Sequence, residues 1–295
     1  MAAVLAALPA AATASTASMA GTALTVHMLT IKSGGTTARV TIRGDWKRTY
    51  AKLPHEHLPW QHSRSAGPNA NSKSSSGNWS GYVDSPKRQT KFKSVTATYN
   101  IANLNCANST PGTSGYSYYS AWAGLDGWNS GTVEQEGTEA YCDGDTEGLY
   151  VFYEMYPAGP VVFTGATPGD ALTVTTTYNR QTGNYTLSVD DLTQNGAGVT
   201  VTTPCPTTCD NSSAEVISEA PGGGPPTYGL ADYGAQSYAN AQVSAYGGTS
   251  GGFATGTDWT GYGVTMVSQS TADTLAEPGR LIGGESFVDT WLAST

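Results

Sequence analysis

Apolar and polar residues alternate with a period of two in many short runs, separated by Gly, Pro, Asn and Asp clusters. From residue 78 onward these runs are "NWSGYVD", "FKSVTATYNI", "YYSAWAGLDG", "TVEQEGTEAYC", "LYVFYEMYP", "ALTVTTTYN", "NYTLSVDDLT", "AEVISEAP", "AQVSAYGG", "VTMVSQ" and "SFVDTWLA". The alternation is clearest in "ALTVTTTY" and "YTLSV", joined by a hairpin that turns near Thr182–Gly183. No stretch carries a helical period, and no segment repeats. About a dozen antiparallel strands with almost no helix predict an all-β fold, a two-sheet β-sandwich. Two further strand-like runs, "LTVHMLTI" and "ARVTIRG", lie upstream.

Composition adds an organisation to this pattern. The chain has 295 residues, 36 of them Gly, and a net charge of −9. Residues 1–75 hold eight Lys/Arg against Asp45 and Glu56, a net +6, so the remainder carries −15. All four histidines, His27, His55, His57 and His62, fall in the basic part. Residues 1–20, Ala-rich with an Ala-x-Ala pattern at Ala12–Thr13–Ala14, read as a signal-like segment. Residues 21–76 read as a basic propeptide and linker, ending in the tract "SAGPNANSKSSSGN", and residues 77–295 as the working domain. The expectation is a secreted, monomeric protein that binds neither membrane nor nucleic acid and is held by its own propeptide through charge complementarity. Four cysteines suit an oxidising compartment. Cys205-Pro-Thr-Thr-Cys209 can close a tight loop, which leaves Cys106 for Cys142. A zinc site would need all four thiolates and is disfavoured there.

The residue types limit the chemistry. Without the basic part the domain has no histidine, which removes Ser-His-Asp, Cys-His and the common His-based metal sites. Carboxylates, amides and tyrosines remain, with no cofactor or metal called for. An acidic domain relying on carboxylates suits acid, where its self-repulsion is relieved and a glutamate works near its own pKa.

The stretch "VEQEGTEAY" (residues 133–141) concentrates that inventory. Strand periodicity puts Val133, Gln135 and Gly137 on one face and Glu134, Glu136 and Thr138 on the other. If Glu134 and Glu136 face the concave surface, rather than solvent or the rim of a cleft, they offer the carboxylate pair of a glycan-binding or glycan-hydrolysing sandwich. If Gln135 faces it, the amide can donate to an oxyanion while a distant carboxylate activates water. In "AEVISE", Glu215, Ile217 and Glu219 share a face, so at least one of these acids lines solvent or a site. Tyr116, Tyr118 and Tyr119, with Tyr150, Tyr153 and Tyr156, suffice to line a peptide groove, although strand aromatics are more often core.

The ordered set "NWSGYV", "SAWAGLDG", Gln135-x-Gly137, "YEMYP", "AEVISE" and "LADYG" resembles the glutamic peptidase, or eqolisin, family over about residues 77–291. The resemblance implies a concanavalin-like β-sandwich and acid endopeptidase activity on polypeptides from a Gln/Glu dyad. Carried over by motif, the catalytic glutamine is Gln135 and the glutamate Glu219. Trp122 and Asp126 border the site, Asp126 holding the Gln135 amide, and Glu154 is the acid of "YEMYP". The 126–135 loop lacks the family's cysteine, and Met155 and Val216 replace common aromatics, which bears on the substrate pockets more than on the dyad.

Overall fold

The computed structural model describes residues 24–50, 74–87, 89–128, 130–254 and 256–295. The signal-like segment 1–20 and most of the linker tract lie outside the described residues. Strands in chain order are β1 (Val26–Ser33), β2 (Thr36–Arg43), β3 (Lys47–Arg48), β4 (Ser74–Ser76), β5 (Trp79–Pro86), β6 (Phe92–Asn100), β7 (Tyr116–Leu125), β8 (Val133–Asp143), β9 (Thr146–Tyr156) and β10 (Ala158–Thr164). They continue as β11 (Ala171–Asn179), β12 (Asn184–Asp191), β13 (Ala197–Pro204), β14 (Ala214–Glu219), β15 (Gly229–Leu230), β16 (Ala235–Ala245), β17 (Ser250–Gly252), β18 (Trp259–Val267), β19 (Thr274–Pro278) and β20 (Phe287–Trp291). The described residues contain no α-helix, only 3-10 turns at Cys106–Asn108 and Pro221–Gly223.

Pairing defines two layers. The first runs β3-β10-β9-β8-β7-β14-β5-β18. The second runs β1-β2-β13-β12-β11-β6-β16. Strand β19 pairs with both β18 and β20, and β20 with β16, which joins the layers at one side. Pairing is antiparallel except where β4 lies parallel to β18 and β15 to β7. The all-β antiparallel sandwich expected from the sequence is therefore present.

The alternation explains which layer is which. Strands β11 and β12 read buried at every second residue, as outer-layer strands with one wet face should. Strand β8 is buried at nearly every position and so is covered on both faces. Its inner face joins the main core between the layers, with Ala121, Ala123 and Leu125 of β7 against Val95 and Tyr99 of β6 and Leu172 and Val174 of β11. On its outer face a smaller apolar cluster contains Trp79, Val83, Trp122, Val133, Phe152, Val162, Ile217 and Val264, joined by Trp128 from the β7–β8 loop.

Both cysteine pairings read from the spacing are formed, Cys106–Cys142 and Cys205–Cys209. The basic upstream part enters the sandwich as strands. Strand β2 pairs with β13, β3 with β10, and Ile31, Ala38, Val40, Ile42 and Trp46 are buried in the main core. Charge contributes one ion pair among the described residues, Arg43 to Asp190. The same guanidinium donates to the Gly196 carbonyl (3.1 Å) and to Thr200 Oγ1 (2.7 Å).

Candidate active site

The outer face of the first layer is best described as rows across four strands. Register places Glu154, Gln135, Gly124 and Glu215 in one row of β9, β8, β7 and β14. Phe152, Gly137, Trp122 and Ile217 form the next, followed by Tyr150, Glu139, Ser120 and Glu219. Because side chains in one row share a face, Gln135 and Glu219 lie on the same face, with β7 between their strands. They stand at opposite corners of this patch, one row apart from the middle row of Gly137 and Trp122. A side chain at 137 has no space: an added Cβ would sit 2.1 Å from the Ala121 carbonyl oxygen and 2.7 Å from Trp122 Cβ. Glycine there lets β7 and the Trp122 side chain pack closely against β8 between the two corners.

Glu219 is fully buried and held by two donors. Trp122 Nε1 donates to Oε2 at 2.8 Å and Asn78 Nδ2 donates to Oε1 at 3.3 Å. Trp122 is fixed by an edge-on contact with Trp79, centroids 4.9 Å apart at 77°, an arrangement worth about 0.5–1.5 kcal/mol beyond area burial. Asn78 is oriented by Ser76, whose Oγ donates to Asn78 Oδ1 (3.0 Å) and accepts from the Asn78 and Trp79 backbone N–H groups (3.2 and 3.0 Å). Asn78 and Ser76 escape sequence reasoning. The "NWSG" motif flagged the position, but its role follows only from Glu219 pairing opposite Trp79 on β5.

Gln135 is also fully buried, and its Nε2 donates to Glu154 Oε2 at 3.2 Å. Its Oε1 has no hydrogen-bond partner among the described residues. Asp126 does not perform the role expected for it. It adopts a left-handed turn conformation (φ 67°) and accepts the backbone N–H groups of Asp210 (2.8 Å), Asn211 (2.7 Å) and Ser212 (2.7 Å), and the Ser212 hydroxyl (2.8 Å). It anchors the loop entering β14, while Glu154 takes the contact to Gln135. Among the predicted site residues, the structure thus places Gln135, Glu154, Trp122 and Glu219 on one face, and Asp126 at the end of that sheet.

Glu134 and Glu136 need correcting. They face neither solvent nor the outer surface; both point between the layers and are 0% and 1% exposed. Thr176 Oγ1 of β11 donates to Glu136 Oε2. Burial raises the pKa of each well above the carboxylate range, with the nearby Asp126 charge adding to the effect on Glu134. The glycan reading required these glutamates on the concave side, and it falls with them. Glu215, on the outer face in the row of Gln135, is raised well above the usual range too, chiefly by burial. The tyrosines also divide: Tyr119 stacks on Tyr233 and Tyr153 leans on Phe163 in the main core, whereas Tyr116, Tyr118 and Tyr150 share the outer face.

Trp122→Phe is expected to keep the ring while removing the donor to Glu219 Oε2. A hydrogen bond to a charged group is worth about 1.5–3 kcal/mol, so kcat should fall roughly ten- to hundredfold. Thermal unfolding checks that the fold persists; an unchanged kcat would deny the indole N–H any positioning role.

A sandwich with this face belongs to a class of hydrolases acting on peptide bonds: the family model described as Peptidase A4 family matches residues 77–275. The chain belongs to the peptidase A4 family, the glutamic peptidases that its motifs resemble. Among solved structures it is similar in fold to Scytalido-glutamic peptidase with a peptide-based transition-state analogue (19% identity, 73% of this chain and 98% of that chain, TM-score 0.57). It is similar also to aspergilloglutamic peptidase from Aspergillus niger (24% identity, 60% of this chain and 99% of that chain, TM-score 0.50). Among curated proteins none matches this chain.

Proposed function

We propose that this peptidase is a secreted acid endopeptidase working through Gln135 and Glu219. The observation that carries the reading is their placement: both are on the outer face flanking Gly137 and Trp122, and the two rival glutamates are turned into the core. A polypeptide lies over the middle row. Glu219, ionised, takes a proton from water as the water oxygen bonds to the scissile carbonyl carbon. Gln135 donates from Nε2 to the resulting oxyanion, a contribution of roughly 2.7–4 kcal/mol for one good donor. Glu219 returns the proton to the leaving nitrogen as the C–N bond breaks, giving a carboxylic acid and an amine. Every step uses groups of the chain and water.

The upstream basic part is the propeptide in this reading, and the active protein is a monomer. Ser76 orients Asn78, so the cut that frees the upstream part falls before β4 and leaves Ser76 in place. Full-length protein incubated with denatured protein substrate from pH 2 to 7 is expected to digest it only in acid. N-terminal sequencing is expected to show the chain shortened to a start within the Ser/Asn/Gly tract. Full activity at neutral pH with residues 1–75 still attached would overturn the zymogen reading.

A further inference from the structure

The outer face does not end at the row of Glu219. In the next row Tyr118 of β7 lies opposite Tyr141 of β8, which lies opposite Gly148 of β9. Tyr116 follows one row further, Tyr150 stands in the Glu219 row, and Tyr228 closes on Tyr118 from the turn before β15. The rings are in mutual contact. Tyr141 stacks on Tyr150 (centroids 6.0 Å, 18°), Tyr118 lies 5.8 Å from Tyr141 and 6.0 Å from Tyr116, and Tyr228 meets Tyr118 edge-on at 5.2 Å. Gly148 is what lets Tyr141 lie down: an added Cβ would be 2.2 Å from its Cζ and 2.5 Å from its hydroxyl oxygen. The ring therefore covers the bare backbone of β9 and presents a flat surface.

Burial separates this group from the core tyrosines. Tyr99, Tyr119, Tyr153 and Tyr238 are at most 3% exposed, whereas Tyr116, Tyr141, Tyr150 and Tyr228 are only half-buried; Tyr118, itself 3% exposed, is the buried ring on which Tyr116, Tyr141 and Tyr228 pack. Packed edges with partly open faces are what an aromatic binding platform needs, since stacked or edge-on ring pairs add about 0.5–1.5 kcal/mol beyond area burial and two-torsion side chains lose little entropy on contact. The surface is continuous with the face that carries the dyad and is reached from Glu219 by one step along the strands.

We propose that Tyr116, Tyr141, Tyr150 and Tyr228, packed on the buried Tyr118 ring, form a specificity site for an aromatic side chain of the polypeptide substrate, on the Glu219 side of the scissile bond. This rests on the dyad reading for the position of the cut but not for the binding itself. Phe stacks on the Tyr141–Tyr150 pair; Ala at the same position leaves the platform wet.

The test is a set of single-cut peptides in which one Phe is moved through the positions on both sides of the bond, each compared with its Ala counterpart. The acid-activated full-chain protein is expected to favour Phe over Ala in kcat/KM about tenfold or more at one position on one side, in the range that a single hydrophobic contact supplies. Tyr141→Ala and Tyr150→Ala should each bring that ratio below about threefold, with thermal unfolding showing that the variants are folded. The same pair of peptides, titrated calorimetrically into the protein, should show the Phe preference in Kd and its loss in Tyr141→Ala. Equal rates for Phe and Ala at every position, or a preference kept in both variants, would overturn the platform. Failure to cleave any peptide while the calorimetric preference remains would count against the dyad and leave the platform standing.

Discussion

Gln135→Ala is expected to lower kcat by about 10²–10³, the loss found when one oxyanion donor is removed, and Glu219→Gln by about 10²–10⁴, the contribution of a positioned general base. In the proposed mechanism the two act on one tetrahedral intermediate, so the double variant should lose little more than the worse single one. Glu154→Gln should fall between wild type and Gln135→Ala, because it replaces the acceptor that fixes Gln135 Nε2 by a group able to donate as well. Glu134→Gln and Glu136→Gln, which remove acids beside Gln135 in sequence but across the sheet from it, should leave kcat near wild type. Steady-state hydrolysis of a denatured protein at about pH 4, close to the ordinary glutamate pKa, reads all six. If Gln135→Ala kept more than a tenth of the wild-type kcat, or Glu134→Gln lost as much as Gln135→Ala, the assignment of the chemistry to the amide would fail.

Much of this face was legible beforehand, and the illegible part has a physical cause. Alternation sorted residues 133–138 into two sets but could not say which set met the second layer, because β8 carries polar side chains on both faces and both are buried. A glutamate beside glutamine suggested a wet strand; the fold instead buries Glu136 against Thr176, a partner forty residues on that no local pattern reveals. Asp126 was misassigned for the same reason. Its turn was readable, but its four donors come from residues 210–212, brought over by β14 pairing with β7. The runs "LTVHMLTI" and "ARVTIRG" announced strands, yet charge suggested electrostatic docking, and the attachment to β13 is a backbone ladder over buried Val40 and Ile42. Period-two alternation specifies the faces of a strand and leaves its neighbours open.

The second large effect concerns stability against pH. Asp84, Glu134, Glu136 and Glu215 all have pKa values pushed well above the carboxylate range, in each case chiefly by burial, and Asp289 is pushed up to about 6, again by burial, against hydrogen bonds from Ser80 and Tyr233. Neither carboxyl oxygen of Asp84 has a hydrogen-bond partner among the described residues, and the contacts of Thr132 with Glu134 and of Ser213 with Glu215 offset burial only in part. In the unfolded chain these acids ionise at about pH 4. Between that value and the raised folded one, the folded state binds more protons, so the free energy of unfolding falls as pH rises. Stability is complete below about pH 4 and is lost above it, the reverse of proteins whose carboxylates are stabilised as ions. Asp170 opposes the trend: burial would raise it, but hydrogen bonds from Thr167 and Gln194 outweigh that and lower its pKa. Each group protonated only when folded contributes about 1.4 kcal/mol per pH unit. Two of them remove about 3 kcal/mol in one unit, a large share of the ~5–15 kcal/mol that holds a typical domain. The melting temperature is therefore expected to be highest near pH 3–4 and to drop steadily towards pH 7. Glu136→Gln keeps an acceptor for Thr176 and cannot ionise, so it should raise Tm at pH 7, leave it unchanged near pH 3.5 and reduce the slope by one proton. A Tm that is level or rising from pH 4 to 7, measured calorimetrically, would show that these acids fold as ions. The same buried acids are then expected to lower stability towards neutral pH by a route separate from the proposed catalysis. Glu136→Gln separates the two, because it should extend survival towards neutrality without moving the pH optimum of the proposed Gln135/Glu219 dyad.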